Sequence, residues 1–202
     1  MTKLVLASKN AGKVREFKEM FEVLPFTVLS LDGFPDIEEP EETGQTFMEN
    51  AHLKACYYAK ATGELCMADD SGLEVYALNG EPGVMSARYA GKHGSDKDNN
   101  ILLLENMTRE KNRRCRFFCA LAVANPAGSI LFETQGSCEG ELLLEEKGLG
   151  GFGYDPLFFS LDLNKSLAEA SPEEKNSVSH RSRALQKLVK IMGEQYADRN
   201  NR

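Results

Sequence analysis

The sequence has no tryptophan, only three histidines, and five cysteines (Cys56, Cys66, Cys115, Cys119 and Cys138) without a C-x-x-C pair. An odd count without paired spacing argues against a disulfide framework and against a thiolate zinc site, and it reads as reduced, mostly buried thiols in a cytoplasmic protein. Basic charge is also scarce: 24 Lys and Arg face 31 Asp and Glu, a net charge of −7 over 202 residues. That balance argues against broad binding to nucleic acid or a membrane surface, which needs a basic field. No apolar run approaches the ~20 residues that span a bilayer. The start, MTKLVLASKN, turns polar too soon for a signal peptide.

What is present alternates in type. KLVLA (3–7) reads as a buried strand, 11–24 as an amphipathic helix with Val14, Phe17, Met20, Phe21 and Leu24 on one face, and 26–31 as a second strand. This β-α-β opening points to a parallel or mixed sheet. A Pro/Gly-rich acidic loop (32–45) follows. Thr46-x-x-Glu49 is a capping box opening a helix that stops at Gly63. LCMAD (65–69) reads as a strand, Asn79-Gly80 as a turn and 96–107 as a helix. RCRFFCALAVAN (114–125) is nearly all apolar and reads as a strand buried on both faces, with antiparallel strands after it. A glycine-rich loop runs from 148 into a further strand. Ser171-Pro172-x-Glu174 starts a helix, a main helix follows from about Ser179, and the tail frays from about 197. With no internal repeat and no linker, the expectation is a single α/β domain over 1–202, in two lobes, with a ligand cleft between them.

Five stretches could carry chemistry. SKNAGK (Ser8, Lys9, Asn10, Ala11, Gly12, Lys13) joins a strand to a helix N-terminus, an anion site by geometry, although no P-loop pattern is present; alone it reads equally as an ordinary loop. ADDSG puts Asp69 and Asp70 at the expected C-terminal end of a strand, the edge where open α/β sheets bind ligands; the bland reading is turn chemistry. Asp70 with Glu41 and Glu42 could share a hard divalent ion. Lys54 in NAHLKA reads otherwise as a solvated helical lysine, and Glu49 and Asn50 beside it are ambiguous. GGFGYDP (150–156) lets backbone approach a ligand closely, with Phe152 as a stacking platform. His180 and Arg181 sit together at a helix start, with Lys175 just upstream. The combination of anion cradle, metal acids, scattered cations and aromatic platform suits a Mg²⁺-dependent enzyme of nucleotide polyphosphates.

In order along almost the whole chain, SKNAGKVREF, EETGQTFMENAHLKA, ADDSGLEV, GEPGVMSARYAG, GGFGYDPLFF and EEKNSVSHRSRAL resemble the inosine triphosphate pyrophosphatases, also called XTP/dITP diphosphatases. The resemblance implies an elongated α/β fold with a long central mixed sheet flanked by helices, an active-site cleft between two lobes, and a homodimer. It implies hydrolysis of ITP, dITP and XTP to the monophosphate and pyrophosphate with Mg²⁺. Carried over by motif, Ser8 to Lys13 hold the triphosphate, Glu41 and Asp70 bind the metal, and Asp70 is the proton acceptor. Lys54 supports the phosphates. Ser71, Phe152, Gly153, Tyr154, Asp155, Lys175, His180 and Arg181 contact the nucleotide. Whether Glu41 or Glu42 lies nearer the metal stays open. The rival readings are a pyrophosphatase for other modified nucleotides, a nucleotide-sensing module without turnover, and a dehalogenase-like phosphatase. The last is disfavoured because ADDSG lacks the spaced acid pair of such a nucleophile.

Overall fold

The computed structural model describes residues 2–9, 13–15, 17–18, 26–91 and 95–200, with backbone only at 2 and 195–200. Among the described residues seven strands form one mixed sheet in the order β2-β1-β3-β4-β5-β6-β7. They are β1 (Thr2–Leu6), β2 (Phe26–Ser30), β3 (Leu65–Val75), β4 (Arg114–Ala124), β5 (Ile130–Leu142), β6 (Phe158–Ser160) and β7 (Lys165–Ser166). β1 pairs in parallel with β2 and β3, while β5, β6 and β7 pair antiparallel. The helices are α1 (helical at 13–15 and 17–18), α2 (Phe47–Thr62), α3 (Asp96–Asn106), α4 (Pro172–Val178) and α5 (His180–Asn200). The rest of the expected 11–24 helix lies outside the described residues. Among the described residues no helix is long and apolar enough to cross a membrane.

The chain divides into two compact units, one of residues 1–70, 120–136 and 183–202, the other of 71–119 and 137–182. In the first, Leu4, Val5 and Leu6 of β1, Cys66 and Met67 of β3, and Ala51, Ala55 and Ala59 of α2 are buried. The small residues of α2 recur at i, i+4, i+8, so one helix face is flat. α2 begins at a full capping box, in which Thr46 accepts from the Glu49 N–H and the Glu49 carboxylate accepts from the Thr46 N–H, and it ends at Gly63 in the left-handed region. The core of the second unit gathers Leu73, Val75, Leu103, Met107, Phe117, Tyr154, Leu157 and Phe158. Burying such a side chain contributes about 1.5–3 kcal/mol.

Two expectations are refined. β3 does not stop at Asp69 but runs on to Val75. The turn-forming Asp-Asp-Ser-Gly is overridden because both carboxylates find buried cations, described below, and because Gly72 allows the turn over Gly83–Arg88 to come close. A Cβ at Gly72 would collide with the Ser86 hydroxyl and the Gly83 carbonyl. That hydroxyl accepts from the Leu73 N–H at 2.9 Å and donates to the Gly83 carbonyl at 2.6 Å. β4 is buried on both faces only from Cys119 onward; before that it alternates, with Arg114 exposed and Arg116 and Phe118 half-buried. Gly72→Ala is therefore expected to lower stability by about 1–3 kcal/mol through overpacking, measured as a lower urea midpoint at unchanged m-value.

Candidate active site

The first unit solves an electrostatic problem. Asp69 and Asp70 are adjacent and both buried, at 3% and 6% exposure. Successive strand side chains point to opposite faces, and each carboxylate meets a lysine from a different helix. Asp69 Oδ2 lies 2.8 Å from Lys13 Nζ at the start of α1. Asp70 Oδ1 accepts from Lys54 Nζ at 3.2 Å, and Lys54 donates also to Glu42 Oε1 at 2.6 Å. The second Asp70 oxygen accepts from Asn50 Nδ2 at 3.1 Å. Asn50 and Lys54 are one turn apart on α2, which is why a single helix face can serve both oxygens. The Asn50 amide is fixed in turn, because its carbonyl accepts from the Gly44 N–H at 2.7 Å.

Burial alone would push the Lys54 ammonium down; the carboxylates of Asp70, Asp69 and Glu42 outweigh it and hold it above the usual lysine range. The same attraction acts on Asp70, but there burial wins. Desolvation lifts the Asp70 carboxyl above the ordinary range, against Lys54 and Lys13, with Glu42 adding to the rise. The two directions are compatible, since Asp70 is both more desolvated than compensated and flanked by another acid.

In this cluster three carboxylates face two ammoniums, one negative charge in excess. Among the described residues no three His, Cys, Asp or Glu side chains gather into a ready metal cage. Of the two loop acids, Glu42 is engaged by Lys54. Glu41 is exposed and makes no ion pair among the described residues. Ser8 is half-buried and Lys9 exposed; Asn10, Ala11 and Gly12 lie outside the described residues.

The second unit gathers the other predicted residues. Asp155 is buried and its Oδ2 accepts from Lys175 Nζ at 2.7 Å and from the Phe152 N–H at 2.9 Å. Lys175 Nζ sits 4.5 Å, and the Arg181 guanidinium 5.1 Å, from the centre of the Phe152 ring. Gly151 has φ +74°, and a side chain there would strike Asp155. Tyr154 donates its hydroxyl to the Ser86 carbonyl at 2.8 Å, and burial pushes that hydroxyl's pKa up. His180 stacks on Phe117, with centroids 4.9 Å apart and planes 13° apart. Ser179, extended between α4 and α5, accepts from the Ser182 N–H at 3.1 Å. It thus caps α5 and sets His180 and Arg181 in the first helical turn. The buried Arg181 guanidinium in that first turn is opposed by the helix dipole. Arg181 Nη2 also reaches Ser71 Oγ, at a long 3.5 Å.

With this geometry in view, the sequence fits the description of the Ham1 family over residues 4–191. The chain belongs to the Ham1 family. Curated relatives carry the name dITP/XTP pyrophosphatase. The one from Bacillus anthracis is 50% identical over 191 residues, 93% of this chain and 95% of its own. The one from Desulforamulus reducens is 49% identical over 197 residues, 96% of this chain and 97% of its own. Among solved structures, the Ham1 protein of Staphylococcus aureus superposes with a TM-score of 0.85 at 40% identity, covering 96% of this chain and all of its own. That of Coxiella burnetii gives 0.88 at 39%, with the same coverage. The α/β fold with a mixed central sheet is that of these Ham1 proteins.

Reading the sequence left Asn50 ambiguous and gave Asp69 no partner. The signal for Asn50 was its i, i+4 spacing to Lys54. The buried pair in the second unit can be tested directly. Lys175→Met strands the Asp155 carboxylate and is expected to cost about 3–5 kcal/mol. Asp155→Asn, which keeps an acceptor for the Phe152 N–H, restores part of that loss in the double variant, read as non-additivity in urea unfolding.

Proposed function

We propose that this chain hydrolyses non-standard purine nucleoside triphosphates, namely ITP, dITP and XTP, to the monophosphate and pyrophosphate. The observation that carries the reading is Asp70, a buried carboxylate with a raised pKa gripped by Lys54 and Asn50, in a chain half identical to proteins named dITP/XTP pyrophosphatases. In this reading Asp70 and Glu41 would hold Mg²⁺, which when bound would neutralise charge on the triphosphate.

The chain's own residues supply the rest. Ser8 to Lys13 receive the triphosphate at the start of α1, and Asp69 holds the Lys13 ammonium at 2.8 Å. Lys54 fixes the direction of the Asp70 carboxylate. Asp70 accepts the proton of the attacking water, a task favoured by a carboxyl lifted toward neutral pH. In the second unit Phe152 stacks on the base, with Lys175 and Asp155 setting its loop. Donors of His180 and Arg181 meet the 6-oxo group of hypoxanthine or xanthine. The 6-amino group of adenine brings a donor against donors, and a site built on such hydrogen bonds discriminates by orders of magnitude. We further propose a cytoplasmic homodimer; the net charge of −7 argues against nucleic acid as a partner.

The test is product analysis with dITP, XTP, ITP, ATP and GTP, assaying pyrophosphate and orthophosphate separately. Pyrophosphate from the 6-oxo non-standard substrates, lost on chelation of divalent ions, is expected. Orthophosphate instead, or binding without turnover, overturns the reading. Asp70→Asn is expected to reduce kcat by at least about a hundredfold while the thermal unfolding transition persists.

The pH profile gives an independent check. Asp70 works only when ionised, so activity is present above its pKa and lost as pH falls through it. Lys54 holds that pKa down. Lys54→Gln is therefore expected to move the acidic limb of kcat/KM to higher pH, whatever its effect on the plateau.

A further inference from the structure

The loop that carries Phe152 is held by a helix that none of the site motifs includes. The Gly153 N–H donates to the Asp96 carboxylate at 2.6 Å. The Gly153 carbonyl accepts from Asn100 Nδ2 at 3.3 Å, and the same nitrogen donates to Glu146 Oε1 at 2.8 Å. Both polar groups of Gly153 are thus gripped from one face of α3, since 96 and 100 are one turn apart. Asn100 also ties the loop's entry at Glu146 to its exit at Gly153. Asn100 is 3% exposed, an unusual burial for a side chain with no core role. Gly153 has φ +61°, and a Cβ there would meet nothing within 4 Å. On the other side of Phe152, Asp155 accepts from the Phe152 N–H.

We propose that Asp96 and Asn100 are positioning residues that lock the peptide after Phe152, and so hold its ring where Lys175 and Arg181 flank it and a purine base is received. The inference rests on the proposed reading of Phe152 as the base platform. It assigns to α3 a share in nucleobase affinity, without contact to the substrate. The alternative for Asp96 is a first-turn acid serving only the helix dipole. Asp98 serves as the comparison: it lies in the same turn, and its carboxylate accepts from the Ser95 hydroxyl at 2.7 Å.

The experiment compares wild type, Asp96→Ala, Asp96→Asn and Asp98→Ala in the full chain. It measures kcat and KM for dITP, the dITP dissociation constant without turnover in calcium, and amide hydrogen exchange across 150–155. For Asp96→Ala, Gly153 exchange is expected to accelerate, and KM and the dissociation constant to rise about tenfold, the loss of one charge-assisted hydrogen bond. Its kcat is expected to stay within about threefold, because Asp70 and its partners are untouched. Asp96→Asn keeps an acceptor and is expected to restore most of the affinity, and Asp98→Ala to leave it unchanged. Faster Gly153 exchange with wild-type affinity overturns the inference. So does an equal loss in Asp96→Ala and Asp98→Ala, which marks a helix-stability effect. If Asp96→Ala does not fold, Asp96→Asn decides: its weaker, uncharged acceptor must speed Gly153 exchange and raise KM measurably, and a wild-type KM with faster exchange counts against the proposal. Failure of the wild type to release pyrophosphate from dITP overturns the functional reading instead, and the dissociation constants then judge the clamp alone.

Discussion

Two adjacent carboxylates inside a strand cannot stay charged and buried unless each is answered by its own cation, and the first unit is arranged around that requirement. Asp69 draws Lys13 from α1 and Asp70 draws Lys54 from α2. Successive strand side chains point to opposite faces, so the two close ion pairs come from two helices, although Lys54 also feels Asp69 and Lys13 also feels Asp70. The capping box at Thr46 and the Gly44–Asn50 contact then appear as means of fixing the start of α2. They set the register that brings Asn50 and Lys54 to the two oxygens of Asp70. Removing either lysine leaves a desolvated charge, the costly half of a buried ion pair.

The second unit repeats the logic with the sign reversed. There two buried cations, Lys175 and Arg181, lie against one aromatic ring, and the buried Asp155 carboxylate pairs with Lys175. The same carboxylate oxygen takes the Phe152 N–H, so ion pair and loop conformation are one feature. Gly151 is required because Asp155 fills the space a side chain there would need.

Much of the fold was legible because its signals are local. Both capping boxes, at Thr46 and Ser171, formed as their spacing requires, and Asn79-Gly80 adopted left-handed backbone as that pair does in turns. The glycine-rich loop led into β6, and the main C-terminal helix began after Ser179. What was not legible depended on contacts distant in sequence. The continuation of β3 through Asp-Asp-Ser-Gly depends on Lys13, Lys54 and the Gly83–Arg88 turn. Lys54 looks like any solvated helical lysine until Glu42 and Asp70 are beside it. Asp96 looks like any first-turn acid until Gly153, 57 positions on, donates to it. Residue type and spacing announce the groups that do chemistry; the groups that aim them are ordinary residues distinguished only by what they touch.

The two clusters differ in what they offer a ligand. In the ion pairs of the first, three carboxylates meet two ammoniums, so a divalent cation would be drawn there, and under the proposed function a triphosphate, itself net negative, would approach only together with that cation. In the second, the Lys175–Asp155 pair and the Arg181 guanidinium lie around Phe152, and under the proposed function these donors would suit the acceptor oxygen of a 6-oxopurine. The peptide bond between Asp70 and Ser71 is where the two units meet along β3. β3 thus carries the paired acids of one unit and, one residue on, the Ser71 that lies beside Arg181 in the other.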